Sequence, residues 1–271
     1  MKMVVITGST RGIGLGLARS MLDRGCAVAI SGRQSVNVDR SVEALRKTNP
    51  TQQVLGVPCD VRDMNQVQAL WDVARELTGR IDIWVNNAGL SNPIMKIWKS
   101  SPEEVQSVIE TNLLGTIYGS MVAVQGMLQQ GHGGVYNVEG MGSDGRKHEG
   151  LTYYGMSKYG LRYFNESLVI ETRGTPVLVG TIRPGMVVTD MITSQFDPQS
   201  AEWQQAKRIF NILAERVEVV TPRLAQQILT NQKHGAMISY QSRSKLMLRF
   251  LTAPFNKRDL FSQTPAASGG K

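Results

Sequence analysis

The fold is decided by residues 3–19, which read MVVITGSTRGIGLGLAR. The apolar run Val4-Val5-Ile6 leads into a glycine-rich turn, Thr7-Gly8-Ser9-Thr10-Arg11-Gly12-Ile13-Gly14, and a helical pattern follows at once. Glycines at this spacing let the backbone turn tightly and approach a pyrophosphate, whose charge then meets the N-terminus of the helix. Because the turn lies between a predicted strand and a predicted helix, a dinucleotide site is favoured over glycines that serve only packing.

Six further apolar, β-branched runs follow, separated by longer amphipathic stretches. The predicted strands are residues 3–7, 27–31, 53–57, 81–85, 134–138, 177–182 and 236–240. Continuous hydrophobicity, as in Val177-Leu178-Val179, is typical of strands that are buried on both faces of a parallel sheet. The sequence therefore predicts an α/β fold, a doubly wound parallel sheet of the Rossmann type, in a single domain over residues 1–242.

Two segments interrupt the alternation of strands and helices. Residues from 186 to about 220 are polar and helix-forming and follow the carboxyl end of a strand, so they are predicted to be a helical substrate lid. Residues 243–271 are predicted to be a separate C-terminal part, with a short basic and apolar helix at 244–251 and a disordered tail from 264. That helix is expected to pack on the sheet or a subunit, to close an apolar pocket, or to dock on an anionic bilayer.

Composition narrows the class of protein. With 41% hydrophobic and 19% charged residues, the 271-residue chain has the composition of a folded globular protein. The net charge is +8, but the sequence holds no basic run of five residues, so no nucleic-acid binding is expected. The two cysteines and three histidines lack the spacing of a metal site or a disulfide framework. Since Met1 runs almost directly into the first strand, we expect a cytoplasmic protein, with peripheral membrane contact as an option.

The residues after the second strand indicate which dinucleotide is bound. Sheets that prefer NAD usually place an acidic residue there, whereas this sequence reads Ser31-Gly32-Arg33. Arg33 and Arg11 can instead bind a 2′-phosphate through charge-assisted hydrogen bonds, which favours NADPH over NADH. The alternative is that both arginines are solvated surface residues. The loops at Asp60-Val61 and Asn87-Ala88-Gly89 leave the same edge of the sheet and are predicted to line the site.

Tyr154 and Lys158 are the candidate chemical groups. Four residues separate them in a predicted helix, so the phenol and the ammonium lie one turn apart on one face. A nearby cation stabilises phenolate and lowers a pKa that is ordinarily about 10. We therefore expect Tyr154 to serve as a proton donor near neutral pH. A tyrosine and a lysine at this spacing also occur by chance in many helices, so the pair alone would indicate only a surface contact.

The motifs in combination resemble the short-chain dehydrogenase/reductase family. They are Thr7-Gly8-x-x-x-Gly12-x-Gly14, Asn86-Asn87-Ala88-Gly89, Asn112, Tyr154-x-x-x-Lys158 and Pro184-Gly185 with Thr189, and they cover residues 1 to about 240. The resemblance implies that Tyr154 protonates a carbonyl oxygen, that Lys158 also holds the nicotinamide ribose, and that Asn112 supports a proton-relay water. It further implies cofactor contacts from Pro184, Gly185, Val187 and Thr189, and a homo-oligomer, either a dimer or a tetramer.

One departure from the family concerns the loop after the fifth strand. The family usually has a serine pair there, whose second hydroxyl helps to polarise the substrate carbonyl. This sequence reads Glu139-Gly140-Met141-Gly142-Ser143, so Gly140 aligns with the expected serine. Ser143, three residues further on, is the candidate donor in its place. Backbone N–H groups of the loop are the alternative donors, and simple loop capping by Ser143 is the alternative role.

This loop, together with residues 183–190 and 210–215, resembles the chlorophyll b reductase subfamily and suggests a bacterial relative. The resemblance implies reduction of a ring formyl group to a hydroxymethyl, so the expected partner is a small-molecule carbonyl substrate such as a tetrapyrrole pigment. Three alternatives stay open: a reductase of another small ketone, aldehyde or acyl-thioester, a non-enzymatic NADPH-binding sensor, and a membrane-surface protein that functions through its C-terminal helix.

Overall fold

The computed structural model describes residues 1–197, 199–241, 247, 249, 251–252 and 258–261. Strands and helices alternate along these residues. The strands are β1 Met3–Ile6, β2 Ala27–Gly32, β3 Val54–Pro58, β4 Ile83–Asn86, β5 Gly133–Val138, β6 Val177–Arg183, β7 Val187–Val188, β8 Glu215–Arg216 and β9 Ala236–Ser239. The α-helices are α1 Gly12–Leu22, α2 Ser35–Thr48, α3 Met64–Thr78, α4 Pro102–Ile109, α5 Gly115–Gln130, α6 Thr152–Glu171, α7 Asp190–Thr193, α8 Ala201–Leu213 and α9 Val217–Thr230.

The main sheet is parallel and has the strand order β3-β2-β1-β4-β5-β6-β9. The order reverses between β1 and β4, which is the crevice where such folds bind ligands. The predicted fold class is confirmed, and each of the seven predicted strands matches an observed strand within two residues at either end.

Burial on both faces explains why the strands could be recognised. Val4 and Ile6 of β1 belong to the apolar core on one face of the sheet, whereas Met3 and Val5 belong to the core on the other face. All four side chains are fully buried. Since side chains alternate between the two faces of a strand, a sheet covered on both sides requires apolar residues at consecutive positions.

The predicted lid is an excursion between β6 and α9. Short strands β7 and β8 pair in parallel at its base and enclose α7 and α8. Helix α9 begins inside the predicted range 186–220 but packs on α1, where a Cβ atom placed at Gly16 would overlap the side chains of Val217 and Thr221. The lid therefore ends at β8, because the next residue begins a helix of the core.

Described residues from the C-terminal part lie against the lid. Arg249 and Arg258 both form ion pairs with the buried carboxylate of Glu215. The Phe261 ring lies 5.0 Å from that of Trp203 in α8. Most of the predicted helix 244–251 and all of the tail 264–271 lie outside the described residues. Among the helices that the structure describes, none is long and apolar enough to cross a bilayer.

A buried chain of hydrogen-bonded side chains links the central strands below the site. Asn86 of β4 donates to Asn137 of β5 at 2.8 Å, and Asn137 donates to Asn165 of α6 at 2.8 Å. Asn165 in turn donates to the hydroxyl of Thr181 in β6 at 2.6 Å. Buried amides are costly to leave unpaired, so this chain fixes the relative positions of three strands and the helix that carries Tyr154.

Replacing the middle amide tests this role. In Asn137→Ala, the Asn165 carbonyl oxygen loses its donor and Asn86 loses an acceptor, so we expect the free energy of unfolding to fall by about 2–4 kcal/mol. Urea denaturation followed by circular dichroism measures the change. Asn65→Ala, at an exposed position of α3, is the matched control. A loss below about 0.5 kcal/mol, the range of ordinary surface changes, would contradict the assignment.

Candidate active site

The glycine-rich turn after β1 is shaped for close approach of a ligand. Gly8 and Gly12 adopt φ values of +59° and +56°, which favour glycine. A Cβ atom placed at Gly8 would lie 2.6 Å from the Cα of Ala88, and one at Gly14 would lie 2.8 Å from the Cα of Ser9. Helix α1 has no acidic residue in its first turn, and Arg11 precedes it without forming a side-chain cap. The amide end of α1 therefore keeps its partial positive charge for an anion.

The same turn is tied to the loop after β4. The Thr7 hydroxyl accepts hydrogen bonds from the backbone N–H groups of Asn87 and Ala88 at 3.0 and 3.1 Å. The Asn87 amide donates to the carbonyl oxygens of Thr7 and Gly8, both at 2.9 Å. Four hydrogen bonds therefore fix the Asn-Asn-Ala-Gly loop against the glycine turn across the β1/β4 crevice.

The predicted 2′-phosphate site lies at the end of β2. Arg11 and Arg33 are both exposed there, and Gly32 packs against Thr10 of the glycine turn. Asp60, after β3, forms a 2.6 Å ion pair with Arg62 that holds its pKa below the ordinary value, and Arg33 adds to the effect. The two arginines that the sequence predicts to bind a 2′-phosphate are therefore both open to solvent.

Tyr154 and Lys158 occupy the first turns of α6, beside the end of β5. The Lys158 ammonium donates to the carbonyl oxygen of Val138 at 3.3 Å. A Cβ atom placed at Gly140 would lie 3.1 Å from the Cε of Lys158 and would overlap the Tyr154 hydroxyl. The structure therefore brings the two predicted catalytic groups together, and Gly140 provides the space beside the phenol.

The pKa of Tyr154 differs from the sequence-based expectation of a lowered value. Burial raises the pKa of Tyr154 to about 12, because the buried phenolate is poorly solvated. Burial also lowers the pKa of Lys158 to about 8, while the negative charge of Glu139 acts in the opposite direction. Both side chains are therefore mainly protonated at neutral pH, which suits a proton donor beside a stabilising cation.

Asn112 lies in a π-helical turn, Glu110–Leu114, between α4 and α5. Its side chain accepts from the backbone N–H of Leu90 at 2.7 Å and donates to the Leu90 carbonyl at 2.8 Å and to the Ser157 hydroxyl at 3.0 Å. Gly89 lies beside it, since a Cβ atom there would be 3.3 Å from Oδ1 of Asn112 and 3.6 Å from Nζ of Lys158. π-Helical turns often mark functional sites, and this one places Asn112 next to Lys158.

Ser143, the predicted replacement for the family serine, is hydrogen-bonded within its own loop. Its side chain is buried and its hydroxyl donates to Glu139 at 3.0 Å. The residue beside the Tyr154 hydroxyl is Gly140, as the alignment with the family predicts. Sequence reasoning assigned no role to Glu139, although an acidic residue directly after a buried strand was a signal that could have been followed.

The remaining predicted cofactor residues lie where the lid begins. Gly185 adopts a φ of +80°, and Val187 is buried in β7. Thr189 lies over the glycine turn, since a Cβ atom placed at Gly12 would be 3.5 Å from its Cγ2. The start of the lid and the glycine turn therefore face each other across the crevice, with Pro184 at the exit of β6.

These residues fit a nicotinamide dinucleotide. The glycine cradle, which side chains would fill, and the uncapped amide end of α1 suit a pyrophosphate. Lys158, Asn112 and Tyr154 form the other end of the crevice. Within the described part of the chain, no three His, Cys, Asp or Glu side chains are grouped as metal ligands would be.

The chain belongs to the short-chain dehydrogenase family, because the family model described as short chain dehydrogenase matches residues 2–200. It is therefore an oxidoreductase, and the family binds a nicotinamide cofactor. The fold agrees: the crystal structure of levodione reductase superposes with a TM-score of 0.80, at 24% identity over 88% of this chain and 95% of that one.

Two relatives are more similar in sequence. The chlorophyll(ide) b reductase NOL of Oryza sativa subsp. japonica is 38% identical over 92% of this chain and 71% of its own length. The chlorophyll(ide) b reductase NOL of Arabidopsis thaliana is 35% identical over 96% of this chain and 73% of its own length. Both are chloroplastic proteins. The chain spans 52% of the length of two further relatives.

Removing the phenolic hydroxyl tests the assignment of the proton donor. Tyr154→Phe should lower turnover by a factor on the order of 100 to 10,000, the usual contribution of a positioned general acid. The affinity for NADPH, measured by fluorescence titration, should stay nearly unchanged. Ser143→Ala should have a smaller effect on turnover. Equal losses in the two variants would show that Ser143 belongs to the catalytic set.

The space at Gly140 can be tested with a single methyl group. Gly140→Ala should displace the Tyr154 hydroxyl and lower turnover by about 100-fold, because small misplacements of reacting groups have large effects on rate. Gly155→Ala is the matched control, since its added methyl meets no atom within 4 Å. Steady-state kinetics with both variants measure the difference. Similar turnover in the two would mean that Tyr154 does not depend on the space at Gly140.

Proposed function

We propose that this chain is an NADPH-dependent carbonyl reductase that converts the ring formyl group of a chlorophyll b-type tetrapyrrole to a hydroxymethyl group. The observation that carries the proposal is the 38% identity to the rice chlorophyll(ide) b reductase over 92% of this chain. The Tyr154, Lys158 and Asn112 geometry supports a reductase, because all three side chains lie at the carboxyl edge of the sheet beside the dinucleotide crevice.

The residues of the site have separate tasks in this reaction. NADPH, when bound, supplies the hydride that reduces the carbonyl carbon. The Tyr154 hydroxyl donates its proton to the carbonyl oxygen, and the Lys158 ammonium stabilises the resulting phenolate. Asn112, anchored to Leu90 and Ser157, supports the return of a proton from solvent to Tyr154 through a relay water. Arg11 and Arg33 hold the 2′-phosphate.

The lid carries an aromatic cluster, which is the proposed contact for a large, flat substrate. Four aromatic rings of the lid and the C-terminal part lie with centroids 5.0–6.3 Å apart, and they belong to Phe196, Trp203, Phe210 and Phe261. Aromatic faces of this kind stack favourably on an extended π-system. The Tyr154 hydroxyl itself occupies the space beside Gly140, so the lack of a side chain there serves the position of the phenol.

Assembly and membrane contact stay predictions. Apolar side chains are exposed on two helices that a second copy would cover, among them Met121 and Leu128 of α5 and Tyr159, Tyr163 and Ile170 of α6. The proposed homo-oligomer, a dimer or a tetramer, is tested by analytical ultracentrifugation.

The proposed peripheral contact with an anionic bilayer is tested by vesicle flotation at low and high salt, because electrostatic docking is salt-sensitive.

Cofactor choice is tested at Arg33. The wild-type chain should bind NADPH more tightly than NADH, and Arg33→Asp should abolish this preference because a carboxylate repels the 2′-phosphate. Fluorescence titration with both cofactors measures the ratio of the dissociation constants. Arg40→Asp, at an exposed position of α2, controls for the change in net charge. Equal affinity of the wild type for the two cofactors would refute the proposed role of Arg33.

Substrate choice is tested with a panel of carbonyl compounds. With NADPH, chlorophyllide b should be converted to its hydroxymethyl product, detected by chromatography and absorption spectra, with a higher kcat/KM than small ketones, aldehydes or acyl-thioesters. Tyr154→Phe is the negative control. Turnover of small carbonyl compounds without any conversion of chlorophyllide b would exclude the pigment and leave a reductase of another substrate.

A further inference from the structure

Glu139 is a buried acidic residue directly after β5, at the edge of the catalytic site. Its side chain is only 5% exposed. The register that pairs Val138 of β5 with Ile182 of β6 continues past the strand, since the Glu139 N–H donates to the Ile182 carbonyl at 2.9 Å. Glu139 therefore lies beside Arg183, the last residue of β6.

The carboxylate of Glu139 joins three parts of the structure. One of its oxygens, Oε2, accepts from Nε and Nη2 of Arg183 at 3.0 and 2.6 Å and from the Ser143 hydroxyl at 3.0 Å. Arg162 of α6 donates weakly to the Ser143 carbonyl at 3.5 Å. A buried carboxylate is destabilising unless it is paired and hydrogen-bonded, so these partners are what hold it in place.

Both neighbours of Glu139 in the chain touch the catalytic pair. The Val138 carbonyl accepts the hydrogen bond from the Lys158 ammonium, and Gly140 packs against the Tyr154 hydroxyl. The charged and titratable groups facing Glu139 are Arg183 from β6 and Lys158 and Arg162 from α6. The negative charge of Glu139 therefore acts on Lys158, whose pKa it raises.

We propose that Glu139 is a positioning residue, which holds loop 139–143 against Tyr154 through Arg183 and Ser143 and places a negative charge near Lys158. It acts through Lys158 and Tyr154 and does not itself exchange a proton with the substrate. The proposal rests on the oxidoreductase chemistry of the proposed function and not on which carbonyl compound is reduced.

Burial and the charge of Glu139 change the pKa of Lys158 in opposite directions, and this decides the direction of the shift that each variant should cause. Burial lowers its pKa to about 8, and Glu139 opposes this lowering. Neutralising Glu139 removes the opposing charge, so the pKa of Lys158 should fall further and the ammonium should be lost at a lower pH. Removing Arg183 leaves the negative charge of Glu139 uncompensated, which should raise the pKa of Lys158 instead.

The experiment compares four variants of the full chain over roughly pH 6–10, a range that brackets the pKa of Lys158. They are Glu139→Gln, which removes the charge, Glu139→Asp, which keeps it, Arg183→Gln, which removes its partner, and the control Glu149→Gln at an exposed position later in the same loop. Turnover is measured with chlorophyllide b or, if the wild type does not reduce it, with an aromatic aldehyde. NADPH affinity at each pH is measured by fluorescence, independently of any substrate.

We expect the alkaline limb of both profiles to move down by about 0.5–1 pH unit in Glu139→Gln and up in Arg183→Gln, with little change in Glu139→Asp and Glu149→Gln. The opposite signs keep the test decisive if one variant fails to fold. A uniform loss of turnover at every pH without a shift of the limb, or equal shifts in Glu139→Gln and Glu139→Asp, would overturn the proposal. Failure of chlorophyllide b alone would overturn only the proposed substrate.

Discussion

The site depends on the hydrogen bonds between Thr7 and the loop after β4. β1 and β4 are neighbours at the point where the strand order reverses, so the loops that follow them diverge and form the crevice. Contacts between the two loops are needed to fix the distance between them. The Thr7 hydroxyl and the Asn87 amide do so with four hydrogen bonds. On one side of this contact lies the glycine turn, and on the other lies Gly89 beside Asn112 and Lys158. Cofactor binding and proton transfer therefore share one anchor.

Much of the fold could be predicted from sequence because the sheet is covered on both faces. Consecutive apolar residues, as in Val4-Val5-Ile6, are required when both core layers draw side chains from one strand. The pair Tyr154 and Lys158 was also predictable, because helical spacing places them on one face and the other motifs of the family accompany them. The glycine turn was recognisable because conformations such as that of Gly8, with its φ of +59°, strongly favour glycine. In each case, a constraint on backbone conformation or on side-chain burial produces a recognisable pattern in the sequence.

Other features arise from contacts between distant segments and leave no such pattern. Glu139 and Arg183 meet because β5 and β6 are neighbours, and their pairing depends on the register of the sheet. The raised pKa of Tyr154 reflects burial of the phenol, which spacing along a helix cannot reveal. The π-helical turn around Asn112 has a sequence that would equally suit an α-helix. The packing of α9 on α1 within the predicted lid range joins segments about 200 residues apart, as the contact of Ser20 with Thr221 shows, and local polarity cannot reveal it.

The ion pairs of Glu215 with Arg249 and Arg258 join a residue of the lid to residues that are synthesised later. Glu215 is held by Arg249 and Arg258, which follow β9 and hence every strand of the main sheet in the described chain. On the ribosome, the sheet strands emerge before either arginine does. The nascent protein can therefore form its Rossmann core while Glu215 still lacks its counter-charges and Trp203 lacks the ring of Phe261. The packing of the lid against the C-terminal part therefore follows formation of the sheet.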